Sequence, residues 1–162
     1  MAETEFSFYG TPYSEGCPAC FRIEPQPSGL DLVYENDSFR VHQDYEIPIP
    51  GFMIIEAKRH VREASEFTVD ERVEFMDAWS FTNDAIVTVL GREQITTFQE
   101  SKSSHFHTAL LPVFPWMTSL TEGRNRNIQQ IMDYARENFS DEIGIKSVEE
   151  VTLKLKKYTG TE

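Results

Sequence analysis

Short apolar runs bounded by turn-forming residues predict five β-strands in this chain. Residues 35–38 have turn chemistry and separate the first two runs. The third run is apolar enough to be a central strand of a sheet. The five runs cover residues 30–34, 39–43, 52–57, 94–99 and 105–111.

A helix is predicted between the third and fourth strands. Thr68 and Glu71 have the spacing of a capping box, and Gly91 is suited to end a helix. Several apolar residues between these signals fall near one stripe, namely Val73, Met76, Trp79, Ile86 and Leu90. We expect this stripe to face the core or a second copy of the chain.

The last third of the chain is predicted to be helical. Residues 127–139 have a helical pattern, and Ser147 with Glu150 forms a second capping box that predicts the start of a short, lysine-rich helix. We predict a domain of residues 1–115, which begins with a loop-like arm, and a C-terminal helical extension of residues 116–162. The fold class is α+β: a five-stranded, mostly antiparallel sheet with a long helix packed on it and C-terminal helices.

The charge of the chain limits its partners. Its 162 residues include 27 acidic and 15 basic side chains, a formal net charge of −12. Nucleic-acid binders need a basic face, so we expect no nucleic-acid partner, although a local group of donors could bind a nucleotide. No apolar run approaches the ~20 residues of a membrane helix, and no apolar region follows the acidic N-terminus, so we expect no signal peptide. We expect a cytoplasmic protein that does not bind membranes.

Two of the four histidines lie in the predicted fifth strand. His105 and His107 are separated by one residue, and Ala109 follows with the same spacing. Because side chains alternate between the faces of a strand, these three residues are expected to point to one side. A lone His-x-His pair is weak evidence of function, because a histidine on a sheet often has no chemical role.

The two cysteines, Cys17 and Cys20, have the spacing of a metal or redox pair. In a reducing compartment a structural disulfide is not expected. The residues themselves leave three alternatives: a zinc site, a redox pair or two free thiols.

Four segments of the chain together resemble the histidine-triad (HIT) family and its larger relatives, the galactose-1-phosphate uridylyltransferases. The resemblance covers roughly residues 17–115 and depends on the order and spacing of the segments. They are Cys-Pro-Ala-Cys-Phe-Arg-Ile at 17–23, Val-Tyr-Glu-Asn-Asp at 33–37, Pro-Gly-Phe-Met-Ile-Ile-Glu-Ala-Lys-Arg-His at 50–60, and His-Phe-His-Thr-Ala-Leu-Leu-Pro at 105–112.

The resemblance implies a structural zinc ion. In zinc-carrying relatives the matching positions are the metal ligands, which here are Cys17, Cys20, His60 and His105. Two thiolates and two imidazoles form the closed tetrahedral shell that Zn²⁺ favours. Such a zinc ion would hold the N-terminal arm against the start of the fifth strand.

The resemblance also implies that His107 is a nucleophile. It matches the middle histidine of the triad, which attacks the α-phosphate of a nucleotide and forms a covalent nucleotidyl intermediate. The third triad histidine is replaced by Ala109, and the lost phosphate contact is expected to slow turnover. The alternative is that His107 is a sheet residue with no chemistry.

Further residues are implied to contact the substrate. Asp44 matches the acidic residue that binds the ribose hydroxyls in relatives, although it could equally be a turn residue. The loop after the fourth strand offers Gln99, Ser101, Lys102 and Ser103 to a phosphate, although solvation alone could explain each of them.

The sequence therefore predicts a nucleotide hydrolase or nucleotidyl transferase that acts on a nucleotide-containing small molecule. A zinc-stabilised nucleotide-binding protein with little turnover is the second hypothesis, because Ala109 weakens the triad. A redox or zinc-binding interaction module is the third. The resemblance also implies a homodimer.

Overall fold

The five predicted strands form one sheet in the computed structural model, which describes residues 32–99, 105–120 and 127–161. Every pair of neighbouring strands is antiparallel, and the strand order is β1-β2-β3-β5-β4. The strands are β1 (Leu32–Glu35), β2 (Phe39–Gln43), β3 (Met53–Ala57), β4 (Ile95–Phe98) and β5 (His107–Pro112).

Four α-helices accompany the sheet in the described part of the chain. They are α1 (Val69–Leu90), α2 (Pro115–Leu120), α3 (Ile128–Phe139) and α4 (Glu142–Thr159), and a single 3₁₀ turn covers Ala64–Glu66. The predicted α+β class, with its antiparallel sheet, long helix and C-terminal helices, is confirmed.

Helix α1 begins and ends where its sequence signals predict. Thr68 and Glu71 form a reciprocal capping box, and Gly91 ends the helix in the left-handed conformation at φ 61°. The predicted stripe is only partly correct as a core face. Ile86 is buried, whereas Val73 and Met76 are 58% and 53% exposed, because the buried face is displaced around the helix toward Ala78, Thr82 and Ala85.

The predicted start of the last helix is wrong. Helix α4 begins at Glu142, and the side chain of Asp141 caps it by accepting a hydrogen bond from the Gly144 N–H at 2.8 Å. Ser147, the predicted cap, lies within the helix. Asp141, six residues before Ser147, supplies the same kind of N-terminal acceptor, so the helix extends back to it.

The sheet is packed on both faces. The first apolar cluster joins one face to α1 and α4 and includes Val41, Ile55, Leu110, Ile86 and Leu155. The second apolar cluster joins the opposite face to α2 and α3 and includes Phe52, Ala109, Leu111, Met117 and Ile131. The helices after residue 115 thus share their cores with the sheet, and the domain boundary there stays a prediction.

Candidate functional site

A row of polar residues crosses the face of the sheet that carries the second apolar cluster. Arg40 of β2 is directly opposite Glu56 of β3, and Glu56 is directly opposite His107 of β5. The next row on this face contains His42, Ile54 and Ala109. The candidate nucleophile therefore lies on an interior strand, beside a carboxylate.

A backbone hydrogen bond determines which nitrogen of His107 is available for chemistry. His107 Nδ1 lies 3.1 Å from the carbonyl oxygen of His105. A carbonyl oxygen only accepts, so Nδ1 carries the hydrogen of the neutral ring. Its Nε2 then has the lone pair, and the side chain is half-buried at the start of β5.

His105 has the opposite arrangement. Strand β5 begins at His107, two residues after its predicted start. His105 therefore precedes the strand, and it is buried at 2% exposed. Its Nε2 lies 2.6 Å from the carbonyl oxygen of Ala57, so Nε2 donates and Nδ1 keeps its lone pair.

The structure brings two of the four predicted zinc ligands together. The rings of His60 and His105 are 5.3 Å apart between centroids and meet edge to face at 78°. Cys17 and Cys20 lie outside the described residues. Within residues 32–99, 105–120 and 127–161, no three His, Cys, Asp or Glu side chains form a metal-binding group.

The residues on either side of His60, Arg59 and Val61, are both held by hydrogen bonds. Arg59 donates to both carboxylate oxygens of Glu71, at 2.8 and 2.9 Å, in the first turn of α1. This guanidinium, together with the Thr68 N–H, lowers the pKa of Glu71 to about 2. On the other side, Val61 is buried and its carbonyl oxygen accepts from the Phe106 N–H at 2.6 Å.

Asp44 lies in a turn directly after β2. One carboxylate oxygen, Oδ1, accepts from the N–H groups of Glu46 at 2.8 Å and Ile47 at 3.4 Å. This geometry matches the turn interpretation of the residue. The buried side chain of Gln43 holds the same loop through the Ile49 carbonyl and the Gly51 N–H.

The predicted phosphate loop is described only at its first residue. Gln99 is exposed just after β4. Ser101, Lys102 and Ser103 lie outside the described residues, so their assignment stays a prediction.

Ala109, the residue predicted to occupy the third triad position, is buried. Ala109 is 3% exposed and belongs to the second apolar cluster. Apolar side chains pack around Ala109, and its methyl group cannot donate a hydrogen bond to a phosphate.

Sequence reasoning missed the pair formed by His42 and Glu56. His42 Nε2 lies 3.4 Å from Glu56 Oε2, and the two side chains are only 14% and 9% exposed. The available signal was the glutamate itself, which interrupts the apolar run of residues 52–57.

The described helices include none that is long and apolar enough to cross a membrane.

Comparison with known proteins gives a structural likeness only. No family model matches the sequence, and no curated protein matches it. Solved structures do match. A Plasmodium falciparum diadenosine triphosphate hydrolase, solved with cyclomarin A, gives a TM-score of 0.57 at 10% identity, covering 98% of this chain and 84% of the hydrolase.

Two bacterial proteins give similar values. A HIT-like protein from Bartonella henselae, involved in cell-cycle regulation, has a TM-score of 0.54 at 16% identity, with 78% of this chain and 84% of that one covered. A zinc-bound histidine triad family protein from Mycobacterium smegmatis has a TM-score of 0.52 at 14% identity, with 81% and 87% covered. At these identities the likeness shows the fold, and this chain has the fold of the solved histidine-triad proteins.

Proposed function

We propose that this protein is a nucleotide hydrolase or nucleotidyl transferase in which His107 attacks the α-phosphate of a nucleotide derivative. The observation that carries the proposal is the hydrogen bond from His107 Nδ1 to the His105 carbonyl. It directs the lone pair of the neutral ring to Nε2, the nitrogen left for attack on phosphorus.

The proposed reaction has two steps. In the first, the Nε2–P bond forms, the bond from phosphorus to the leaving oxygen breaks, and the leaving group takes a proton from solvent. In the second, a water molecule or an alcohol gives up its proton and attacks phosphorus, and the Nε2–P bond breaks. His107 regains its lone pair, and two displacements retain the configuration at phosphorus.

The substrate class is a nucleotide-containing small molecule. The likeness to the Plasmodium falciparum diadenosine triphosphate hydrolase supports a dinucleoside polyphosphate as the first compound to test. Asp44 is proposed to accept hydrogen bonds from the ribose hydroxyls, with the turn retaining Oδ1. Gln99 and residues 101–103 are proposed to contact phosphate.

We further propose a structural zinc ion held by Cys17, Cys20, His60 and His105. The neighbouring rings of the two histidines support it. So does the bond from His105 Nε2 to the Ala57 carbonyl, because metal-binding histidines commonly donate their other N–H to such an acceptor, and Nδ1 is then the ligand atom. When bound, zinc would crosslink the segments that carry these four residues and would take no part in the reaction.

The zinc proposal is tested by metal analysis of the purified protein. We expect one zinc per chain, and we expect the Cys17→Ala and His60→Ala variants each to lose the metal and to unfold at a lower temperature. A wild-type protein that is purified and refolded with zinc and still binds none contradicts the proposal.

A nucleotide-binding protein with little turnover is the alternative function. The burial of Ala109 favours it, because the third triad position offers no phosphate contact and is packed by apolar neighbours. A homodimer formed partly by α1 and a cytoplasmic location also remain proposals.

The function is tested with a panel of dinucleoside polyphosphates, nucleoside phosphoramidates, adenylylated compounds and nucleotide sugars. We expect turnover of at least one compound and, after rapid denaturation, a nucleotidyl adduct on His107. The His107→Asn variant keeps an amide donor for the His105 carbonyl but has no ring nucleophile, so it should fold, bind nucleotide and be inactive. Binding without turnover by the wild type favours the alternative, and an active His107→Asn variant contradicts the mechanism.

A further inference from the structure

Glu56 is a buried carboxylate in an otherwise apolar strand. The other residues of β3 are Met53, Ile54, Ile55 and Ala57, and Glu56 itself is 7% exposed. Burying a charged side chain costs free energy even when it is paired, and an apolar residue of similar size is often at least as stable. Packing of β3 therefore does not explain why a glutamate is at this position.

Three charged or titratable side chains on the two neighbouring strands surround Glu56. Arg40 is its direct neighbour on β2, and His107 is its direct neighbour on β5. His42, diagonally placed on β2, brings Nε2 to 3.4 Å from Glu56 Oε2. Side chains directly opposite each other in an antiparallel pair have Cβ atoms about 4.5–5.5 Å apart, so the carboxylate and the His107 ring are neighbours on one face.

The proposed reaction changes the charge of the His107 ring. Nε2 uses its lone pair to bond to phosphorus while Nδ1 keeps its hydrogen on the His105 carbonyl. The ring therefore gains a positive charge in the first step and loses it when the Nε2–P bond breaks. A negative group that already lies beside the ring stabilises that charge without having to reorganise.

Resting on the proposed function, we infer that Glu56 is a positioning residue that stabilises the positive charge on His107 in the nucleotidyl intermediate. Arg40 and His42 flank the carboxylate on the side away from β5, so that it is not buried alone. His42 Nε2 lies 3.4 Å from Oε2.

This arrangement has opposite effects on binding and on chemistry. A carboxylate next to the α-phosphate repels the bound nucleotide, but it attracts the cationic ring that forms in the transition state. Removing the charge should therefore leave nucleotide binding equal or tighter while the chemical step slows. A purely structural role of Glu56 would weaken both.

The experiment compares Glu56→Gln with the wild type, using diadenosine triphosphate as the substrate and AMP as the binding probe. We expect kcat to fall about 100-fold, the order of magnitude for the loss of attraction between opposite charges on neighbouring side chains of a partly buried site. We expect KM and the AMP dissociation constant to stay equal or to fall. Glu35→Gln is the matched control, because Glu35 is directly opposite Arg40 in the same row but is far from His107, and it should retain wild-type kcat.

A second variant separates the charge from the fold. Glu56→Leu removes the charge and fills the same space, and we expect it to be at least as stable as the wild type in thermal unfolding but as slow as Glu56→Gln. Wild-type kcat in either variant, together with an inactive His107→Asn variant, overturns this inference and leaves the proposed function standing. Loss of AMP binding in both variants also overturns it. An active His107→Asn variant, or no turnover by the wild type on any compound of the panel, overturns the proposed function and this inference with it.

Discussion

His105 and His107 keep their lone pairs on opposite ring nitrogens. The backbone carbonyl that each ring contacts determines which nitrogen this is. His105 donates through Nε2 to the Ala57 carbonyl, and His107 donates through Nδ1 to the His105 carbonyl. One neutral ring thus keeps its lone pair on Nδ1 and the other keeps it on Nε2. The sequence suggests two such histidines, but only the register of β3 and β5 assigns a nitrogen to each.

Gly51 allows the backbone conformation that leads into β3. Gly51 has φ 78°, its N–H donates to Gln43 at 2.9 Å, and a Cβ at this position would lie 2.4 Å from Leu90 Cδ1. Gly91 also has a positive φ, 61°, but a Cβ there would meet no atom within 4 Å. The two positions therefore differ in packing and share a backbone conformation.

We predict that Gly51→Ala destabilises the protein more than Gly91→Ala. Both changes place a side chain in the left-handed region, at a cost of about 1–2 kcal/mol. Gly51→Ala must in addition displace the Leu90 side chain. Unfolding in urea measures both free energies, and an equal loss in the two variants would contradict the packing argument.

At the scale of elements, the sequence predicts the ends of a helix where those ends depend on residues close by in the chain. The predicted caps of α1, Thr68 and Gly91, are correct because capping depends on residues within one turn. The start of α4 is wrong because Asp141 and Ser147 both have capping chemistry, and the sequence does not rank them. The same limit applies to Glu56, because its partners come from the pairing of strands.

The cap of α4 gives a direct test. We predict that Asp141→Ala lowers the free energy of unfolding by about 1 kcal/mol, because the Gly144 N–H loses its acceptor. Ser147→Ala, which alters the originally predicted cap, should change stability by less than about 0.5 kcal/mol. A larger loss for Ser147→Ala than for Asp141→Ala in urea unfolding would restore the sequence-based start.

The link between the His60 segment and α1 predicts a pH dependence of stability. The pKa of Glu71 is lowered from 4.5 to about 2, first by the Arg59 side chain. A lowered carboxyl pKa stabilises the folded state above pH 4.5, and this contribution is lost as pH falls from 4.5 toward 2.

We therefore expect the stability difference between the wild type and Glu71→Gln to be largest above pH 4.5 and to shrink as the pH falls toward 2. Arg59→Met removes the partner of Glu71 and should reduce the same pH dependence. Urea unfolding at a series of pH values measures the difference. A difference that stays constant down to pH 2 would show that Glu71 is not stabilised in this way.

At the scale of the whole molecule, both faces of the sheet are covered but one face of α1 is not. Val69, Val73 and Met76 are spaced along one side of the helix and are 70%, 58% and 53% exposed. An apolar stripe of this kind is suited to bind a second copy of the chain. The sequence found part of the stripe, but it could not say that the stripe faces outward.

We predict that the protein is a dimer at tens of micromolar and that a double change, Val73→Glu with Met76→Glu, makes it monomeric. Leu153→Glu is the control, because Leu153 is 46% exposed but lies on α4. Sedimentation equilibrium measures the mass of each. A monomeric wild type, or a double variant that remains dimeric, would exclude this face as the interface.

Helix α4 and the residues just after it connect the two ends of the described chain. Thr161 donates to the Val33 carbonyl at 2.8 Å, and Leu155 shares the first apolar cluster with Val33, across more than 120 residues of sequence. β1 is an edge strand of the described sheet, and an edge carbonyl is a point where a foreign strand can pair. During synthesis, β1 leaves the ribosome long before the residues that cover it, so this edge stays open to aggregation until α4 is made.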